Sequence, residues 1–175
     1  MLNKIMITCR LAFMILCSMI LFPWIARAEH VKHQITGLFM PEREQDLREA
    51  IAAIAEVKIV SIDFKYSEVV FEYEIKNFGK PEQAIQKLDA LLRAASNSTF
   101  GVKPVGSVPR EKLTLIEIPV VGLDWKACSL AAYEAIYRLE GVERATASFR
   151  EGRVTALVDP TKIDRGTIEA ALKKK

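Results

Sequence analysis

The sequence repeats itself, and the repeat limits the possible folds. The stretch Ile35-Thr-Gly-Leu-Phe-Met-Pro-Glu-Arg43 lies over Val120-Val-Gly-Leu-Asp-Trp-Lys-Ala-Cys128 at an offset of 85 residues. Gly37-Leu38 falls on Gly122-Leu123, Glu49-Ala50-Ile51 on Glu134-Ala135-Ile136, Val57 on Val142, Phe64 on Phe149 and Val69 on Val154, with no gap. Chance matching does not hold register through a helix and two strands. Each half is therefore expected to be one small unit with the same order of elements.

The periodicities agree between the halves. In the first, His33 to Gly37 reads as a short strand. Leu47, Ala50, Ile51 and Ile54 recur at helical spacing between Glu42 and Glu56. Val57 to Tyr66 alternates, with Val60, Ile62 and Phe64 expected inward, and Val69 to Ile75 alternates again. Pro81 suits the first turn of a second helix carrying Ile85, Leu88 and Leu92, and Phe100 to Val105 reads as a closing strand. The order βαββαβ predicts an α+β ferredoxin-like sandwich, helices on one face of an antiparallel sheet. The second half gives strand 113–121, helix 125–140, strands 142–150 and 153–158 and helix 164–173, then stops at three lysines suited to a solvated tail. The expected organisation is two tandem ferredoxin-like units, 29–105 and 113–175, joined by a linker at 106–112, the second without its last strand. That strand would cover the edge of 113–121. Either the first unit covers the edge, or another chain adds a strand there.

Residues 1–28 read as a secretory signal. Lys4 and Arg10 precede the apolar run Leu11 to Ile25, and Ala26-Arg27-Ala28 offers small residues for cleavage before Glu29. An uncleaved anchor is the other reading, though the run is short of the ~20 residues of a membrane span. Export, to the periplasm in a Gram-negative cell, is the expectation, with no membrane span after cleavage. The whole chain has 25 basic and 22 acidic residues, and removing Lys4, Arg10 and Arg27 leaves the charge balanced. A neutral mature chain argues against nucleic acid as a partner. Of the three cysteines only Cys128 remains, so no internal disulfide is available. There is no paired-carboxylate site, Ser/His/Asp set or phosphate-cradling glycine loop, and an enzyme is not expected.

The chemistry then concentrates at Gly122-Leu-Asp-Trp-Lys-Ala-Cys128, between a strand and a helix. A thiol there meets free backbone N–H groups and the positive end of the helix dipole. Both favour the thiolate that soft metals bind. The second half resembles the heavy-metal-associated domain of copper chaperones, mercury-binding periplasmic proteins and metal-transporting P-type ATPases. That family opens with Gly-Met-x-Cys-x-x-Cys and continues through Leu-x-Gly-Val and an Asp-Pro, matched here by Gly122–Cys128, Leu139-Glu-Gly-Val142 and Asp159-Pro160. The resemblance implies the same fold and a soft metal ion, Cu(I), Hg(II) or Zn(II), as cargo. It departs at the site. Trp125 stands where the first family cysteine would be, and in the first half Met40 and Arg43 replace both.

Three roles stay open for Cys128: a buried helix-start hydrophobe, a half-site completed by an outside ligand, or a thiol pairing with another chain, as in a homodimer, or with a redox partner. Met40 reads as packing or as a soft ligand. Trp125, with Phe39 and Met40, would give each unit an apolar loop tip for a partner protein. His30 and His33, near the expected mature terminus, read as solvated residues or a Cu(II) chelate. Asn97-Ser98-Thr99 matches a glycosylation sequon and is read as a loop.

Overall fold

The computed structural model describes residues 28–174, the side chains of Pro81 and Glu82 excepted. The expected signal, Ala28 apart, lies outside the described residues. The described elements run β1 (Glu29–Thr36), α1 (Arg43–Ala52), β2 (Lys58–Asp63), β3 (Glu68–Tyr73), α2 (Pro81–Ala95), β4 (Gly101–Lys103), β5 (Thr114–Pro119), α3 (Lys126–Ile136), β6 (Val142–Ser148), β7 (Arg153–Val158) and α4 (Arg165–Leu172). They make two antiparallel sheets, ordered β2-β3-β1-β4 and β5-β7-β6. The mixed α+β class thus agrees with the alternating and helical periodicities. Read from the other end, the second sheet is β6-β7-β5, the same sense as β2-β3-β1.

The first core is built from alternation on the strands and one face of each helix. Leu38, Leu47, Ile51, Val69, Phe71, Leu88, Leu92 and Phe100 are all buried in one cluster. Pro81 opens α2, its fixed φ suiting a first helical turn. A short 3₁₀ turn over Ile75–Phe78 carries Phe78 into the same core, edge-on to Tyr73 at 4.9 Å between ring centroids. The second core gathers Leu123, Ile136, Ala147, Val154, Val158 and Ile168. At the start of α4 the Asp164 carboxylate accepts the Thr167 N–H at 2.8 Å, filling one of the donors that a helix start leaves open.

Several expectations are corrected. Val60 was expected inward, yet the β2–β3 register slips between Ile59 and Ser61. The extra residue turns Val60 outward, 48% exposed, and Ile59 and Ile62 pack on the core instead. Strand β1 begins at Glu29 rather than His33, because six residues of β1 pair with β3. Both histidines therefore sit in a strand, not in a free end.

The larger correction concerns the Phe39–Met40 loop, expected as an exposed tip. Phe39 is 1% and Met40 4% exposed, and both belong to the second core, not the first. The loop reaches across and packs under α3, where the Phe39 ring stacks on Tyr133 at 5.0 Å. Burying a side chain of Phe size stabilises by roughly 1.5–3 kcal/mol, which the loop would forgo in solvent. Polar contacts complete the seam. Ala147 N–H donates to Phe39 O at 3.2 Å, Gly37 N–H to the Tyr133 hydroxyl at 2.7 Å, and Gln34 Nε2 to Glu143 O at 2.7 Å. Arg144 lies over the Phe64 ring at 4.6 Å, and its burial pushes its pKa down to about 10.

The contacts at Glu143, Arg144 and Ala147 fall on β6, so the first unit covers the β6 edge and leaves the β5 edge without a strand partner among the described residues. The β5 edge is guarded differently. Val120 N–H donates toward Gly152 O of the β7 side, so by alternation Leu115, Glu117 and Pro119 present their backbone groups outward. Pro119 has no N–H to offer, and Arg165 Nη1 donates to the Glu117 carbonyl at 3.1 Å. A proline and a charged side chain are common ways to blunt such an edge.

Candidate functional site

The loop from Val120 to Cys128 turns at Gly122, where φ is +85°, a region that favours glycine. Leu123 follows, 4% exposed in the second core, and fixes the loop to the body of the protein. The residues on either side of this anchor point outward. Val121 is fully exposed and Trp125 is 65% exposed. Trp125 occupies the N-cap position of α3 and supplies no side-chain acceptor, so the first N–H groups of the helix stay available. Cys128 lies in the first turn of α3, half-buried, its side chain against the second core.

Gly37, the counterpart of Gly122, has φ +87°. The loop after it closes rather than opens. Met40 is buried beneath the second unit, and Arg43, at the place corresponding to Cys128, is 8% exposed. Its guanidinium lies over Phe39 at 4.8 Å and over Phe100 at 5.0 Å. One loop thus serves as a plug, and its counterpart is presented.

The structure does not bring the sequence candidates together. His30 and His33 are three apart on β1 and so point to opposite faces. His30 is exposed, with Nε2 3.4 Å from Glu72. His33 is 2% exposed in the first sheet, its Nε2 2.9 Å from the Tyr73 hydroxyl, and burial lowers its pKa. A Cu(II) chelate between these two rings is excluded by that geometry. Phe39 and Met40 are closed off, so of the three apolar tip residues only Trp125 faces solvent. Among the described residues no group of three or more His, Cys, Asp and Glu side chains is placed to hold a metal ion. The donor set at Cys128 is a single soft ligand. A metal ion there would take the rest of its coordination from outside the chain.

Arg43, Tyr133 and Tyr137 do not stand out as site residues in the sequence. The Tyr133–Tyr137 spacing of one helical turn was the available signal, and their rings do stack at 4.6 Å and an interplanar angle of 2°.

The class these features define is a mixed α+β protein of two helix-covered antiparallel sheets that presents one loop. No helix among the described residues is long and apolar enough to cross a membrane. No family model and no curated protein matches the chain. Two solved structures resemble it in backbone: the N-terminal soluble domains of Bacillus subtilis CopA, and the water-soluble region of the P-type ATPase CopA from Bacillus subtilis. Each is 14% identical with a TM-score of 0.34, and the matches cover 86% of this chain and 90% and 88% of theirs.

Proposed function

We propose that this chain is an exported, non-enzymatic protein made of two tandem ferredoxin-like units, which handles a soft metal ion at Cys128 together with a docked partner. The observation that carries it is the contrast between the two loops. Cys128 is half-buried in the first turn of α3, just after a loop whose residues Trp125 and Val121 are 65% and fully exposed, whereas the matching loop is sealed by Phe39.

The physical argument runs from the loop outward. Exposed aromatic side chains are favoured anchors at protein interfaces, since a rigid ring gains much area for little lost entropy. Trp125 is three residues before Cys128, so a partner seated on the indole would bring its own ligands close to the sulfur. A single thiolate suits transfer better than storage, because it leaves coordination positions for the donor or acceptor protein. Cu(I) and Hg(II) favour sulfur, and Zn(II) would need more ligands than one thiol and a small partner loop supply.

Native mass spectrometry of the reduced protein during titration with Cu(I) or Hg(II) tests this. The wild type should retain one ion per chain and Cys128→Ala none. Equal retention by the two would overturn the proposal. The exposure of Trp125 and Val121 also favours a second reading, a metal-free docking module. Under it, Cys128→Ala keeps partner binding and Trp125→Ala loses it. A thiol-linked homodimer would instead show a doubled mass that reductant collapses.

A further inference from the structure

A cavity of about 380 Å³ lies between the turn that ends β1 and the outer face of α3. Gly37, Arg43 and Arg93 line it from the first unit, and Tyr133, Tyr137 and Arg138 from the second. Arg43 distinguishes it from a surface groove. Its side chain is only 9% exposed, and Nε has no hydrogen-bond partner among the described residues. The Asp46 carboxylate stands 4.0 Å from Nη2, beyond hydrogen-bond length. The faces of Phe39 and Phe100 hold the guanidinium in place without accepting its in-plane N–H groups. A held guanidinium whose Nε is buried without an acceptor is costly unless something supplies one.

A second donor faces the same space. The Tyr133 hydroxyl accepts the Gly37 N–H at 2.7 Å, which leaves its own hydrogen to give. Burial pushes that phenol up to about 12, so the hydrogen stays on it at neutral pH. The other charges are accounted for. Arg93 Nε is held by Asp89 at 2.7 Å, Arg138 Nε donates to the Tyr137 hydroxyl at 2.7 Å, and Glu134 is the one carboxylate lining the cavity.

We propose that this cavity binds a compact oxyanion, a phosphate or carboxylate group on a small molecule, with Arg43 as its principal partner and the Tyr133 hydroxyl as a second donor. The volume is near the lower end for small-molecule sites, and the walls come from both units, so the ligand would bridge them. The site is separate from Cys128 and does not depend on the metal proposal.

Amide NMR and thermal melting of the protein, titrated with sodium phosphate or sodium acetate against chloride at matched ionic strength, test it. Saturable shifts at Gly37, Thr99 and Tyr137 are expected, with a Tm rise of about 4 °C at tenfold excess over Kd. A stronger response to phosphate, or to acetate, supports the site and tells which head group it prefers. Arg43→Gln should weaken binding about tenfold or more, as losing a charged hydrogen-bond donor does. Arg48→Gln, on the exposed side of α1, should leave it unchanged. If Arg43→Gln does not fold, Tyr133→Phe decides, with a severalfold weaker Kd expected. No saturable shift with either anion, or an undiminished response in the decisive variant, would overturn the proposal.

Discussion

Gly37 and Gly122 both have a positive φ, +87° and +85°, and differ in what surrounds them. A Cβ built on Gly37 would fall 2.1 Å from the Thr99 carbonyl oxygen, whereas one on Gly122 meets nothing within 4 Å. Gly122→Ala should therefore carry only the left-handed backbone penalty, about 1–2 kcal/mol. Gly37→Ala adds a backbone clash to the same penalty and should destabilise by more than about 3 kcal/mol, or prevent folding. Urea unfolding of the two variants compares them directly. His33 makes a different prediction. Burial lowers its pKa below the ordinary 6.5, so the unfolded chain takes up the proton first. The stability tied to its neutral form is complete above pH 6.5 and declines as pH falls below that value. The urea midpoint should drop between pH 7 and pH 5, and His33→Gln should flatten that part of the profile.

At the scale of elements, what could be read from the sequence divides along local and non-local lines. The helices at Leu47–Ile51 and Leu88–Leu92 and the strand Val69–Tyr73 follow from spacing alone, since their partners are supplied by any sheet and helix of the right period. Val60 defeated the alternation because a bulge is a property of the pairing between β2 and β3, not of β2 itself. Phe78 was hidden because a 3₁₀ turn has no apolar period to detect. The place of Cys128 in the first turn of α3 was legible from the turn and helix signals around it. The fate of Phe39 was not, because an apolar residue in a loop looks the same whether it meets solvent or the core of a neighbour. Its packing carries a prediction. Phe39→Ala should cost about 3–5 kcal/mol, the range for emptying a buried aromatic site, and should loosen the second core rather than the first. Hydrogen exchange should then rise at β6 and β7 more than at β1 and β3.

For the molecule as a whole, the seam made by Phe39, Tyr133, Gln34 and Glu143 implies that the two sheets unfold together. Melting should show one transition, and Phe39→Ala should split it or broaden it. A chain cut to residues 106–175 should fail to melt cooperatively, because its core would lack Phe39 and Met40. The same seam separates the two loops, the 37–43 loop closed against the second core and the 120–125 loop left exposed at Val121 and Trp125. The most direct test of that division is amide NMR during titration with Ag(I), a redox-stable stand-in for Cu(I). Saturable shifts confined to Leu123–Ser129, absent in Cys128→Ala and absent from 37–43, are the predicted result. Shifts centred on the 37–43 loop, or a spectrum that Ag(I) leaves unchanged, would contradict it.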